Sequence, residues 1–246
     1  MATIKYLILT VSLFVGLSLA VELPLDAITD LGQLIPGVSN VWTITTAGLD
    51  GKTYGGSYKT PSIGAHFFIY DSRLPWDPGN TPSNNPYDLG SAIQNPSVPS
   101  EAIIYDVATG KDGKIYGGTG YAYDVGIYDY AKVFCYDPAT GSFTDIGQVV
   151  APPGIWSITT GNKGRIYIGG ANGHFVSYDP RLPWDPGTTP DNNPRDYGVA
   201  VSDENRIRCL TVGKDNYIYG GTAHNAHLFV FVPRVLLLCD VGIVSI

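Results

Sequence analysis

From residue 41 onward, short apolar stretches alternate with turns rich in glycine, a pattern that suits brief strands and argues against helices. Residues 41–45, 103–107, 155–158 and 207–210 are apolar, with β-branched and aromatic side chains, and each predicts one strand. A tight turn follows each strand, carrying Gly51, Gly113, Gly164 or Asn216 at one recurring place. Glycine and asparagine are the residues that tolerate the left-handed backbone a tight hairpin demands. A second strand then ends in a diglycine, Gly55-Gly56, Gly117-Gly118, Gly169-Gly170 or Gly220-Gly221. A third apolar strand comes next, at residues 67–71, 133–137, 175–179 and 228–233, usually closing on Tyr-Asp. Finally Asp-x-Gly recurs at 88–90, 145–147, 196–198 and 240–242.

This is one four-stranded unit written four times, with a period of roughly 50 to 60 residues, in the range of propeller blades. A lone four-stranded sheet cannot bury both faces, so the copies must pack on one another. The expected fold is all-β, a β-propeller of four-stranded antiparallel blades beginning near residues 41, 103, 155 and 207. Either a closed four-bladed ring or part of a larger propeller fits the repeat count. Thr29-Asp30-Leu31-Gly32 reads as an outer strand with no blade before it, and is expected to complete the last blade by pairing near residues 228–231.

The order of diglycine strand, Tyr-Asp-Pro strand and outer strand resembles kelch-type propeller repeats. The clearest stretch is Ile115-Tyr116-Gly117-Gly118 followed by Tyr136-Asp137-Pro138-Ala139-Thr140-Gly141. The outer strand departs from the kelch pattern, which usually has a Trp where Phe143 stands here. The resemblance implies that the first strands line a central axis. It also implies that the loops joining second to third and fourth to first strands share one face, where ligands bind.

Composition narrows the function. Charged residues are 15% of the chain and the formal charge is −7, which disfavours nucleic acid as a partner. At the N-terminus, Lys5 precedes an apolar stretch at 6–17, and Ser18-Leu19-Ala20 supplies small residues for cleavage. A signal peptide over residues 1–20 is expected, leaving 21–246 as the repeat domain of a secreted protein, extracellular or periplasmic. No later stretch is long enough to span a bilayer. Cys135, Cys209 and Cys239 have no metal-ligand spacing; Cys135 and Cys209 lie in apolar strands and are expected to be buried thiols.

Candidate chemistry sits at the first strands. Aligned on the repeat, Trp42, Tyr105, Trp156 and Arg208 share one position and are expected to ring the mouth of the axis. Aromatic faces stack on sugars, and an arginine fork holds a carboxylate. The loop after Gly120 adds Tyr121 and Tyr123 on that face, suited to recognition because tyrosine offers large contact area at low entropy cost. Packing between blades is the competing role for the same aromatics. His66, His174 and His227 share another repeat position, filled by Lys132 in the second copy. One such side chain per blade cannot converge on a metal ion, so a structural tie is expected and no metal site. Near-identical Arg-Leu-Pro-Trp-Asp-Pro-Gly segments start at Arg73 and Arg181 and read as rigid loops that pack their Trp on a blade. Serine-nucleophile, phosphate-loop and paired-Cys motifs are absent, and no cofactor is expected. The chain therefore reads as a secreted binding module for a glycan or protein surface. A polysaccharide lyase and a structural repeat domain of a larger extracellular protein are the alternatives.

Overall fold

The computed structural model describes residues 6–12, 18–24, 30–45, 50–58, 65–91, 103–120, 132–149 and 154–243. Two compact units are present, residues 1–33 and 34–246. In the first, β1 (Tyr6–Ser12) pairs antiparallel with β2 (Ser18–Pro24).

The second unit is four antiparallel sheets, each with its strands in chain order. They are β3 (Val41–Thr45) to β6 (Tyr87–Ser91), with β4 (Thr53–Ser57) and β5 (His66–Tyr70) between. The second runs β7 (Ile103–Thr109), β8 (Ile115–Gly120), β9 (Lys132–Asp137) and β10 (Ser142–Gln148). The third is β11 (Ile155–Thr160), β12 (Ile166–Gly170), β13 (His174–Tyr178) and β14 (Arg195–Val199). The fourth is β15 (Ile207–Val212), β16 (Ile218–Thr222), β17 (His227–Val232) and β18 (Leu237–Ile243). Among the described residues there is no helix. The sequence-predicted propeller architecture is observed.

Turn chemistry explains the hairpins. Gly51, Gly113, Gly164 and Asn216 all hold positive φ, between 69° and 81°. Sheets pack in series, β3 and β4 on β7, β7 and β8 on β11, β11 and β12 on β15. Each junction holds an apolar core, centred on Phe67 and Phe134, on Ile155 and Ile168, and on Phe175 and Phe229. The diglycine strands make this close packing possible. A Cβ on Gly56 would strike Ile104 of the next sheet; on Gly118 it would strike Ile155, and on Gly169, Ile207. Ile104, Ile155 and Ile207 are at most 1% exposed, whereas their counterpart Val41 in the first sheet is 48% exposed. Among the described residues no comparable packing joins the fourth sheet to the first.

Two expectations need correction. Residues 30–32 carry no strand, and Thr29 lies outside the described residues. The outer place in the fourth sheet belongs to β18, which pairs along β17 from Val232↔Leu237 to His227↔Ile243. Asp240-Val241-Gly242 supplies the same outer-strand motif as the other sheets, so the fourth sheet is complete without residues 29–32. Cys209 is exposed, not buried, because among the described residues no further sheet packs over the first strand of the fourth sheet; Cys135 is buried as expected.

The outer strands are tied by the repeated histidines. His66 Nδ1 lies 2.8 Å from the Asp88 carboxylate, His174 Nδ1 2.7 Å from Asp196 and His227 Nδ1 2.9 Å from Asp240. Lys132 Nζ makes the same tie to Asp145 at 2.6 Å. Among the described residues no three His, Cys, Asp or Glu side chains gather as a metal site. The twin loops are built alike. Asn85 and Asn193, both buried, accept from the backbone N–H of Asp71 or Asp179 and donate to three loop carbonyls. Trp76 and Trp184 rest on Tyr70 and Tyr178, each at 5.8 Å between ring centres.

Candidate ligand-binding site

The site begins with an irregularity shared by all four sheets. Between first and second strands the register shifts by one residue, at Val41/Thr43, Ile104/Asp106, Ile155/Ser157 and Ile207/Cys209. The residue skipped in each case is Trp42, Tyr105, Trp156 or Arg208. A bulge leaves its extra residue outside the ladder and re-aims its side chain, which is why such bulges recur beside functional sites. The four sequence-predicted residues are thus the four bulge residues.

The structure brings them together as a row. Trp42 meets Tyr105 edge-on at 5.7 Å, and Tyr105 stacks on Trp156 at 4.5 Å with 26° between planes. The Arg208 guanidinium carbon lies 3.9 Å from the centre of the Trp156 ring, and that of Arg206 lies 5.7 Å from it. Tyr58 extends the other end, 6.0 Å from Trp42. The four were expected to ring the mouth of the axis, with packing between blades as the competing role; across successive first strands the rings lie close enough to stack. Tyr105 is 6% exposed inside the row, while Trp42 and Arg208 at its ends are exposed. Each ring pair contributes about 0.5–1.5 kcal/mol beyond its area, and the cation over Trp156 about 0.5–2 kcal/mol. Arg208 makes no ion pair among the described residues. Tyr121 and Tyr123 lie outside the described residues.

Directly after Tyr105 in the chain comes Asp106, which sequence reading missed. Its Oδ1 accepts from Thr43 Oγ1 at 3.1 Å and Val107 N at 2.9 Å; Oδ2 accepts from Ser157 Oγ at 3.1 Å and Ile158 N at 2.9 Å. One carboxylate thereby links three consecutive sheets. Burial pushes the Asp106 carboxyl above its ordinary range, against the pull of these four donors. The available signal was a lone acid in an otherwise apolar strand, at the repeat position of Thr43, Ser157 and Cys209.

The sequence matches no family model and no curated protein. Solved structures are similar in fold. Virginiamycin B lyase from Staphylococcus aureus superposes with a TM-score of 0.56 and 13% identity, over 82% of this chain and 55% of that one. The WD40 repeats of RRP9 give a TM-score of 0.55 and 7% identity, over 83% and 51%. A Bacteroides thetaiotaomicron protein of unknown function gives 0.50 and 12%, over 80% and 42%. The shared feature is the β-propeller. This chain spans about half the length of those structures. At such identities the likeness concerns fold and carries no activity.

Proposed function

We propose that the chain is a secreted, non-enzymatic binding module that takes a carboxylate-bearing glycan along the row from Trp42 to Arg208. The observation that carries this reading is the four-fold bulge: each sheet releases the same residue from its ladder, and the fourth offers a guanidinium where the others offer a ring. Exposed Trp42 supplies a stacking face for a sugar, and Arg208 supplies planar, paired donors for a carboxylate. The diglycine and Tyr-Asp-Pro strands support a kelch-like blade. The apolar stretch at 6–17 and the small residues after it support export.

The test is calorimetric titration of the mature chain with oligogalacturonate. Arg208→Lys keeps the charge and loses the fork, and is expected to weaken binding about tenfold, or 1.4 kcal/mol. Trp42→Ala is expected to weaken it by a similar factor. Affinity unchanged in both variants refutes the reading. Unsaturated products accumulating during the titration would replace it with a polysaccharide lyase. A full-length gene carrying further extracellular domains, with no glycan bound, would favour a structural repeat.

A further inference from the structure

A second feature lies at the other end of the first strands, where the hairpins turn. Between the third and fourth sheets is a cavity of about 300 Å³ whose lining includes Lys163, Arg165, Arg181, Arg234, Tyr167 and Asp215. Four cations against one carboxylate is an unusual wall for a chain of net charge −7.

Its origin is a substitution within the repeat. In three hairpins an aspartate accepts a hydrogen bond from a tyrosine four residues on: Tyr54 Oη to Asp50 at 2.7 Å, Tyr116 Oη to Asp112 at 2.8 Å, Tyr219 Oη to Asp215 at 2.6 Å. In the third hairpin that aspartate is Lys163. The backbone is unaltered: Gly161 N donates to Arg165 O at 2.8 Å, as Gly110 N does to Lys114 O at 2.7 Å. An acid has become a base on an unchanged frame, and the Tyr167 hydroxyl has lost its acceptor. Burial pushes the Tyr167 phenol up to about 12, so it stays a donor at neutral pH. Arg181 is held by the Asp179 carboxylate through Nε at 2.8 Å and Nη2 at 2.7 Å, and Arg165 approaches the same group at 3.8 Å. Lys163 and Arg234 make no ion pair among the described residues. Asp215 accepts from Tyr219 Oη and Tyr217 N, which hold it as a carboxylate, so it offsets one positive charge of the wall and the excess remains cationic.

We propose that this cavity binds a small oxyanion on a sugar-sized body, a phosphate or a carboxylate, through Lys163, Arg234 and the Tyr167 hydroxyl. The volume sits at the lower edge of small-molecule pockets and suits one monosaccharide ring. Charge-assisted donors converging from two sheets give both affinity and orientation. None of the residues lining this cavity belongs to the Trp42–Arg208 row.

The test exploits the repeat. Lys163→Asp restores the residue of the other three hairpins and offers Tyr167 its missing acceptor, so the variant should fold at least as well as the parent. Inorganic phosphate, galacturonate and glucose are titrated calorimetrically at low salt into the parent chain, Lys163→Asp, Arg234→Ala and Arg208→Lys. Phosphate or galacturonate should bind the parent and glucose should not; whichever anion binds more tightly identifies phosphate or carboxylate as the group preferred. Lys163→Asp and Arg234→Ala should each weaken binding by about tenfold or more, with Arg208→Lys unchanged. Three results would overturn the proposal: neither anion binds the parent, Lys163→Asp binds them as well as the parent does, or Arg208→Lys loses as much as Lys163→Asp.

Discussion

The joint between Gly118 and Ile155 offers a sharp test of how these sheets hold together. Ile155 is fully buried, and a Cβ placed on Gly118 would lie 2.9 Å from the Ile155 Cβ, with Cγ2 closer still. Ile155→Ala removes three carbons at about 0.8 kcal/mol each, roughly 2.4 kcal/mol, and the cavity left behind raises the cost to about 3–4 kcal/mol. Gly118→Ala overfills the same joint and should cost about 1–3 kcal/mol. If the costs were independent, the double variant would lose about 4–7 kcal/mol. In the double variant the new methyl takes the place of the removed Cγ2, while the retained Cβ 2.9 Å away still has to yield, so the expected loss is about 3–5 kcal/mol, a coupling of about 1–2 kcal/mol. Urea titrations of the four proteins, with comparable slopes, measure it directly. Additivity within about 0.5 kcal/mol would show that the glycine is not there to admit the isoleucine. Val41→Ala is the control: Val41 occupies the same repeat position but is 48% exposed, and the change should stay within about 0.5 kcal/mol.

Asp106 gives a pH signature. Its folded-state carboxyl is raised by burial, so its stabilising contribution is fully present below the unfolded value of about 3.9 and is lost as pH rises through the folded value. Parent protein should therefore gain stability relative to Asp106→Asn as pH falls from neutral towards about 4; a parent that loses stability relative to Asp106→Asn over that range would contradict this. Asn85→Ala removes one acceptor and three donor contacts that shape the Arg73 loop, and should cost about 2–4 kcal/mol in thermal unfolding, with a loss below about 0.5 kcal/mol counting against the clamp. In the native state a thiol reagent should label exposed Cys209 readily and spare Cys135, whose thiol burial pushes up to about 11; Cys135 labelling before unfolding would be the contrary result.

The repeated units were legible because turn and packing chemistry leave residue-level marks. A residue tolerant of positive φ marks each hairpin, and a diglycine marks each second strand, where in three of the four one glycine admits a residue of the next sheet, as Gly118 does for Ile155. The four bulge residues could be aligned from spacing alone, yet their bulging could not, since it depends on the register each strand takes with its partner. The histidines were readable as structural, but their aspartate partners emerge only when the third and fourth strands are paired. Thr29-Asp30-Leu31-Gly32 misled because an Asp-x-Gly motif is local, whereas occupancy of an edge is settled by competition, and Leu237–Ile243 holds that edge. Cys209 misled for a related reason: an apolar strand is buried only if a further sheet lies over it.

The shared bulge has a consequence for how binding preferences could change. Its residue takes no part in ladder pairing, and the knob at each sheet junction is the residue just before it, Ile104, Ile155 or Ile207. Scaffold and contact surface are thereby assigned to adjacent but separate positions. Trp42 and Arg208, exposed at the ends of the row, behave like interchangeable characters on a fixed rail, whereas Tyr105, 6% exposed and in a buried cluster with Ile103, is also packing, and its replacement costs stability. Duplication of a blade adds a character, and a single codon change edits one, as the arginine among aromatics already illustrates.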